Sequence, residues 1–161
     1  MAGDGTLARM TDVDAGRFTV GVFQDVAWAA RGLAALRRAG LVPASLSVIA
    51  LTSPDVHALI ADVVGAEPAS ITLADVGTVW AIGPLVPVLQ GSATELSTRG
   101  LAGTLWRVGF QPHDARIYEV LTARGGVLVA VHSEPRAADA LAVLHAYGGG
   151  NAAIGAWTGR L

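Results

Sequence analysis

The chain contains no cysteine and no lysine. The first absence removes disulfides, thiolate metal sites and cysteine nucleophiles, and leaves the redox compartment undecided. The second makes all 11 basic side chains arginine and excludes a phosphate loop of the Walker type, which needs its lysine. Charge is scarce altogether. Only 15% of residues are charged, against about 25% in an average soluble domain. The net charge of −2 gives no electrostatic footprint for nucleic acid. Aromatic residues make up 6%, yet four of them are tryptophan. In place of these, 52% of the 161 residues are hydrophobic and 20 are glycine. That length and apolar content suit one domain with a sizeable core and exclude disorder.

Residues 1–17 hold no apolar run and no basic leader, so no secretory signal is expected, and a flexible tail preceding a cytoplasmic domain is. Residues 76–94 carry no charge at all, but Gly77, Gly83, Pro84, Pro87 and Gly91 interrupt them. Such a stretch suits turns and short elements, and no membrane span is predicted. A second uncharged stretch, 140–159, runs through Gly148, Gly149 and Gly150, which argues against a spanning helix there too.

Residues 18–24 alternate as a strand does, with apolar character on both faces. Asp25 stands as an N-cap, and Val26, Ala29, Ala30, Leu33 and Leu36 recur at helical steps until Gly40. After Pro43, residues 45–51 read as a second strand. Strand, helix and strand make a βαβ unit. The last third repeats the grammar. Residues 126–132 are a continuous aliphatic run fit for a central strand. Ser133 caps a helix that opens at Glu134 and Pro135, with Ala137, Ala138, Leu141, Leu144 and His145 as its stripe. Residues 151–157 close the pattern as a strand. The fold class predicted is α+β: a ferredoxin-like split βαβ sandwich over residues 18–161, with a Gly/Pro-interrupted apolar insert at 53–110. Helices 26–39 and 135–147 should share one face of the sheet.

Within the insert, Ser53 and Pro54 open a helix, residues 78–82 form a strand, and 85–89, edged by Pro84 and Pro87, read as another strand. Residues 95–108 make a helix with Leu101, Leu105 and Val108 inward. A further helix begins at Gln111 and Pro112, with Ala115, Tyr118, Leu121 and Thr122 inward.

Chemistry-bearing residues do not converge in the sequence. His57, His113, His132 and His145 show no i, i+3 or i, i+4 spacing, so no metal site is expected. Ser133 follows His132, but neighbours on a strand point to opposite faces, and a helix cap accounts for the serine. Gly125 and Gly126 precede a strand, whereas a dinucleotide fingerprint follows one. No catalytic, cofactor-binding or metal residue is assigned.

The strand from Val20 to Phe23, the helix end from Arg37 to Gly40, the helix from His113 to Tyr118 and the Gly-Gly strand from Gly125 to Val131 together carry a resemblance. Over residues 18–150 the chain resembles the bacterial general stress protein (heat-induced stress protein) domain family. The resemblance implies a non-enzymatic, stress-linked domain, and it supplies no catalytic residue. In the middle, Trp80, Pro84, Pro87 and Trp106 stand where that family is richer in Gly and Ala.

Two readings follow. The first is a homo-oligomeric structural or interaction domain that self-assembles or binds a protein partner. So few charges leave a surface below the roughly 25–35% charged residues of a soluble monomer, and Trp80, Leu85, Val86 and Trp106 are the expected subunit-contact anchors. A rival account folds the insert over the open face of its own sheet. The second reading is a small-molecule sensor or regulatory module with no cofactor.

Overall fold

The computed structural model of the chain describes residues 18–91, 95–132 and 137–148. The expected tail, the Ser133 cap with Glu134 and Pro135, and the closing strand at 151–157 lie outside them. In order, the elements are β1 (Phe18–Phe23), α1 (Val26–Arg38), a 3-10 turn (Pro43–Ser45), β2 (Leu46–Leu51), α2 (Pro54–Val63), β3 (Ala69–Leu73), β4 (Gly77–Ile82), α3 (Leu85–Gln90), α4 (Glu95–Arg107), α5 (Pro112–Ala123), β5 (Val127–His132) and α6 (Ala137–Ala146).

The two expected caps form. Asp25 accepts the Trp28 amide at 2.9 Å, and Ser53 Oγ accepts that of Val56 at 3.1 Å. Each satisfies an amide that the helix leaves without an internal partner.

The strands make one antiparallel sheet in the order β1-β5-β2-β4-β3. The architecture is α+β with the interleaving of a split βαβ: β4 sits between β2 and β3, and β2 between β4 and β5. As the internal repeat predicts, β5 lies between β1 and β2, and α1 and α6 pack on the same face.

That face forms one core. Phe23, Val48, Ala50, Val127, Val129 and Val131 of the sheet meet Leu33 and Leu36 of α1, Leu59 and Ile60 of α2, and Leu144 of α6. The opposite face is covered by α3 and α4 of the insert and by α5 beyond it. Val20, Val22, Ile49, Val79, Leu128 and Ala130 meet Leu85 and Leu89 of α3, Leu101 and Leu105 of α4, and Tyr118 and Leu121 of α5. With helices on both faces, β5 is enclosed on each side, which is why its sequence is unbroken aliphatic.

Three local expectations change. Residues 85–89 are helix α3 and not a strand. Pro84 already has helical dihedrals (φ −66°, ψ −20°), and Pro87 falls in the first turn, where a missing N–H loses no bond. The first turn is instead tied by Ser47 on β2, whose buried Oγ accepts the Leu85 amide at 2.9 Å. The inward stripe of α6 is Ala140 and Leu144, with Val143 and Tyr147 partly buried, while Ala138, Leu141 and His145 face outward. The chain there is apolar enough to offer two stripes, and α6 packs on the one at i, i+3, i+4 and i+7. Strand β3 has no counterpart among the predicted elements.

Candidate functional site

The surface with the most unusual exposure lies on the outside of α4 and α5. Helix α4 is broken at Gly100, whose dihedrals (φ 79°, ψ 175°) belong to neither helix nor strand and are open to glycine. The break leaves the second half of α4 with uncapped amides. Glu119, from the middle of α5, supplies the acceptor: its Oε2 takes the Ala102 amide at 2.9 Å. Thr104, fully buried, donates to the Gly100 and Leu101 carbonyls at 2.9 and 3.1 Å. Further along, Arg107 Nη2 donates to the Val88 and Leu89 carbonyls at 2.8 and 3.0 Å, closing the C-terminal end of α3. The position of α4 is thus held from α5 on one side and α3 on the other.

Between α4 and α5 this leaves an open groove of about 400 Å³, lined by Ala102, Gly103 and Trp106 of α4 and by Pro112, His113, Arg116 and Glu119. The small side chains at 102 and 103 lie one turn before Trp106, which is 61% exposed. A second depression, shared at Arg116 and Glu119, continues past the exposed Val120 to Asp75 and Arg124. Two of the four exposed large hydrophobic residues among those described therefore stand on one surface. The groove offers an indole, an imidazole, a guanidinium and a carboxylate that already caps a helix. Those groups suit recognition of another surface.

The four expected contact anchors do not form one patch. Trp106 is outward, as a contact residue must be. Val86 is partly buried against the core beneath α3, and Leu85 is fully enclosed in it. Leu85 therefore has no surface to offer a second subunit, because α3 turns it inward to cover the sheet. Trp80 lies on the other side of the sheet, partly buried against α2. The fold-back account describes Leu85 and Val86, whereas Trp80 packs on the other face and Trp106 stays outward.

Trp80 instead lines a shallow depression of about 570 Å³ with Thr52, Ser53, Pro54, His57 and Ala58. His57 meets the Trp80 ring edge-on at a centroid distance of 5.3 Å, and its Nε2 lies 3.2 Å from Glu67. The other histidines stand apart: His113 in the α4–α5 groove, His132 against the Phe18 ring at 5.0 Å, and His145 on the outer side of α6. Among the described residues no three metal-capable side chains converge, and no helix is long and apolar enough to cross a membrane.

Sequence reasoning did not single out Glu119, Gly100 or Ser47 for these roles. A glutamate that caps a helix 17 residues away, and a serine that caps one 38 residues away, leave no local pattern. No family model, curated protein or solved structure matches the chain.

Proposed function

We propose that the chain is a non-catalytic interaction domain of the cytoplasm that assembles with copies of itself through the outer surface of α4 and α5. The observation that carries this reading is Trp106. Left 61% exposed, a side chain of that size keeps a large apolar area in water that a contact would remove, and tryptophan is among the residue types enriched at binding hot spots. The low charge of the chain points the same way. The resemblance over residues 18–150 supports a stress-linked role of the kind that family represents.

Trp106→Glu tests it. The substituted side chain is outward, so circular dichroism and the unfolding midpoint should stay as in the parent. Self-association, measured by light scattering on a sizing column and by sedimentation, should weaken at least tenfold, the equivalent of about 1.4 kcal/mol. A parent protein that is strictly monomeric at tens of micromolar would remove the reading.

A second reading, a small-molecule sensor, draws on the depression beside Trp80 and His57, where an apolar ring wall meets a polar rim. Under it, a screen of metabolites by thermal shift should find one compound that raises the midpoint by several degrees, and Trp80→Ala should abolish that rise.

A further inference from the structure

The two edges of the sheet are unlike. On β1 five of six residues are buried, beneath helices on both faces. On β3, Ala69, Ser70 and Thr72 are exposed and Ile71 is half-buried. Among the described residues β4 is the only strand that β3 pairs with. Every second residue of such an edge turns its N–H and C=O away from the sheet.

Edges that must stay unpaired are guarded by charges, proline or bulges within the strand. Ala69–Leu73 contains none of these guards: the sequence is Ala-Ser-Ile-Thr-Leu, uncharged and good for strand pairing. Charge stands only at its two ends. Glu67 precedes it, with a side chain 78% exposed, and Asp75 follows it in the β3–β4 turn, exposed and at φ 67°.

Those two carboxylates select the partner. Two copies joined antiparallel across Ile71 would set Glu67 of each near Asp75 of the other, so like charges would meet at both ends of the seam. A strand with arginine or lysine at each end meets the opposite sign twice. We propose that the β3 edge receives an extended segment of another protein, with an uncharged β-forming centre and a basic residue at each end. Main-chain hydrogen bonds to β3 supply the affinity, and the flanking charges fix the choice of segment and its placement along the edge. The β3 strand lies outside the α4–α5 groove, although Asp75 at its end lines the depression that adjoins that groove beside Arg116 and Arg124, so the test is made with the groove disabled.

The test uses the full chain carrying Trp106→Glu, which takes the groove out of play. Two labelled peptides, Lys-Thr-Val-Thr-Ile-Thr-Val-Thr-Lys and the same sequence with Glu at both ends, are titrated by fluorescence anisotropy. The lysine-ended peptide should bind at least tenfold more tightly, and amide hydrogen exchange should slow within Ala69–Leu73. The double variant Glu67→Gln, Asp75→Asn should erase the difference between the peptides while the unfolding midpoint holds, since asparagine tolerates the positive φ at 75. Equal binding of both peptides, or slowed exchange elsewhere in the chain only, would overturn the proposal. So would a peptide-free protein that is dimeric with Ala69–Leu73 already protected, which would make a second copy the occupant.

Discussion

Gly83→Ala should destabilise the chain severely, by more than about 4 kcal/mol, while Gly65→Ala should cost only about 1–2 kcal/mol. Both glycines have positive φ, at 107° and 76°, so each substitution carries the backbone penalty of roughly 1–2 kcal/mol for a Cβ in that region. They differ in what the new methyl meets. At Gly65 nothing lies within 4 Å. At Gly83 a Cβ would stand 2.3 Å from the Leu46 carbonyl oxygen and 2.4 Å from both Cα and Oγ of Ser47. Most of those atoms are backbone of β2, a strand paired on both sides, so no flexible side chain can swing away. The third is the hydroxyl that holds the first amide of α3. Relieving the clash means moving β2 from β4, or losing a buried hydrogen bond worth about 1–3 kcal/mol when its donor is left unpaired. Overpacking, strain and the lost cap together exceed about 4 kcal/mol, a large share of the 5–15 kcal/mol that holds an ordinary domain together. Urea unfolding followed by circular dichroism checks both variants. Equal midpoints for the two would show that β2 does not approach Gly83 this closely.

The elements that the sequence discloses well are those whose instructions are local. The span 18–24, the cap at Asp25 and the stripe through Leu33 and Leu36 map onto β1 and α1 with little change. The inward sets of α4 and α5 are also as spaced: Leu101, Leu105 and Val108, then Ala115, Tyr118, Leu121 and Thr122, are all buried. Where reading fails, a long-range partner decides. Prolines at 84 and 87 suit an edge strand or a first helical turn equally, and Ser47, 38 residues away, settles it as a helix. In α6 several apolar residues permit more than one stripe, and only packing against α1 and the sheet chooses Ala140 and Leu144.

The candidate surface was legible in part for the same reason. The uncharged stretch 76–94 announces burial, but not whether a neighbour or the chain itself provides it. Leu85 and Leu89 show that much of the insert is internal core. Trp106 escapes because it sits one turn beyond Ala102 and Gly103, on the side of α4 away from Leu101 and Leu105. The exposure of β3 was hidden differently. Its alternation of Ser70 and Thr72 with Ile71 and Leu73 is a strand signal only five residues long, and its pairing depends on β4 coming back beside it.

Gly32→Ala should destabilise the chain, although an alanine in the middle of a helix normally stabilises by roughly 0.5–1 kcal/mol over glycine. The sign reverses because α1 packs its glycine directly onto Phe23. A Cβ at position 32 would lie 2.3 Å from Phe23 Cζ and 2.7 Å from Cε1. Phe23 is fully buried at the end of β1, opposite Val127, and a ring in a close-packed interior can turn aside only by displacing its neighbours. Overpacking of this kind costs about 1–3 kcal/mol, enough to outweigh the gain in helix propensity. Phe23→Ala alone should cost about 3–5 kcal/mol through lost burial and the cavity left behind. The two changes are not independent, since the methyl that clashes with the ring would enter the space that the ring vacates. The double variant Gly32→Ala, Phe23→Ala should therefore be more stable than Phe23→Ala by itself. It recovers the helix propensity of alanine and part of the cavity, with a favourable coupling of about 1–3 kcal/mol between the sites. Urea midpoints of the four proteins at constant slope measure that coupling. Additive costs would mean that Phe23 and Gly32 do not touch, and the packing of β1 against α1 would then have to be redrawn.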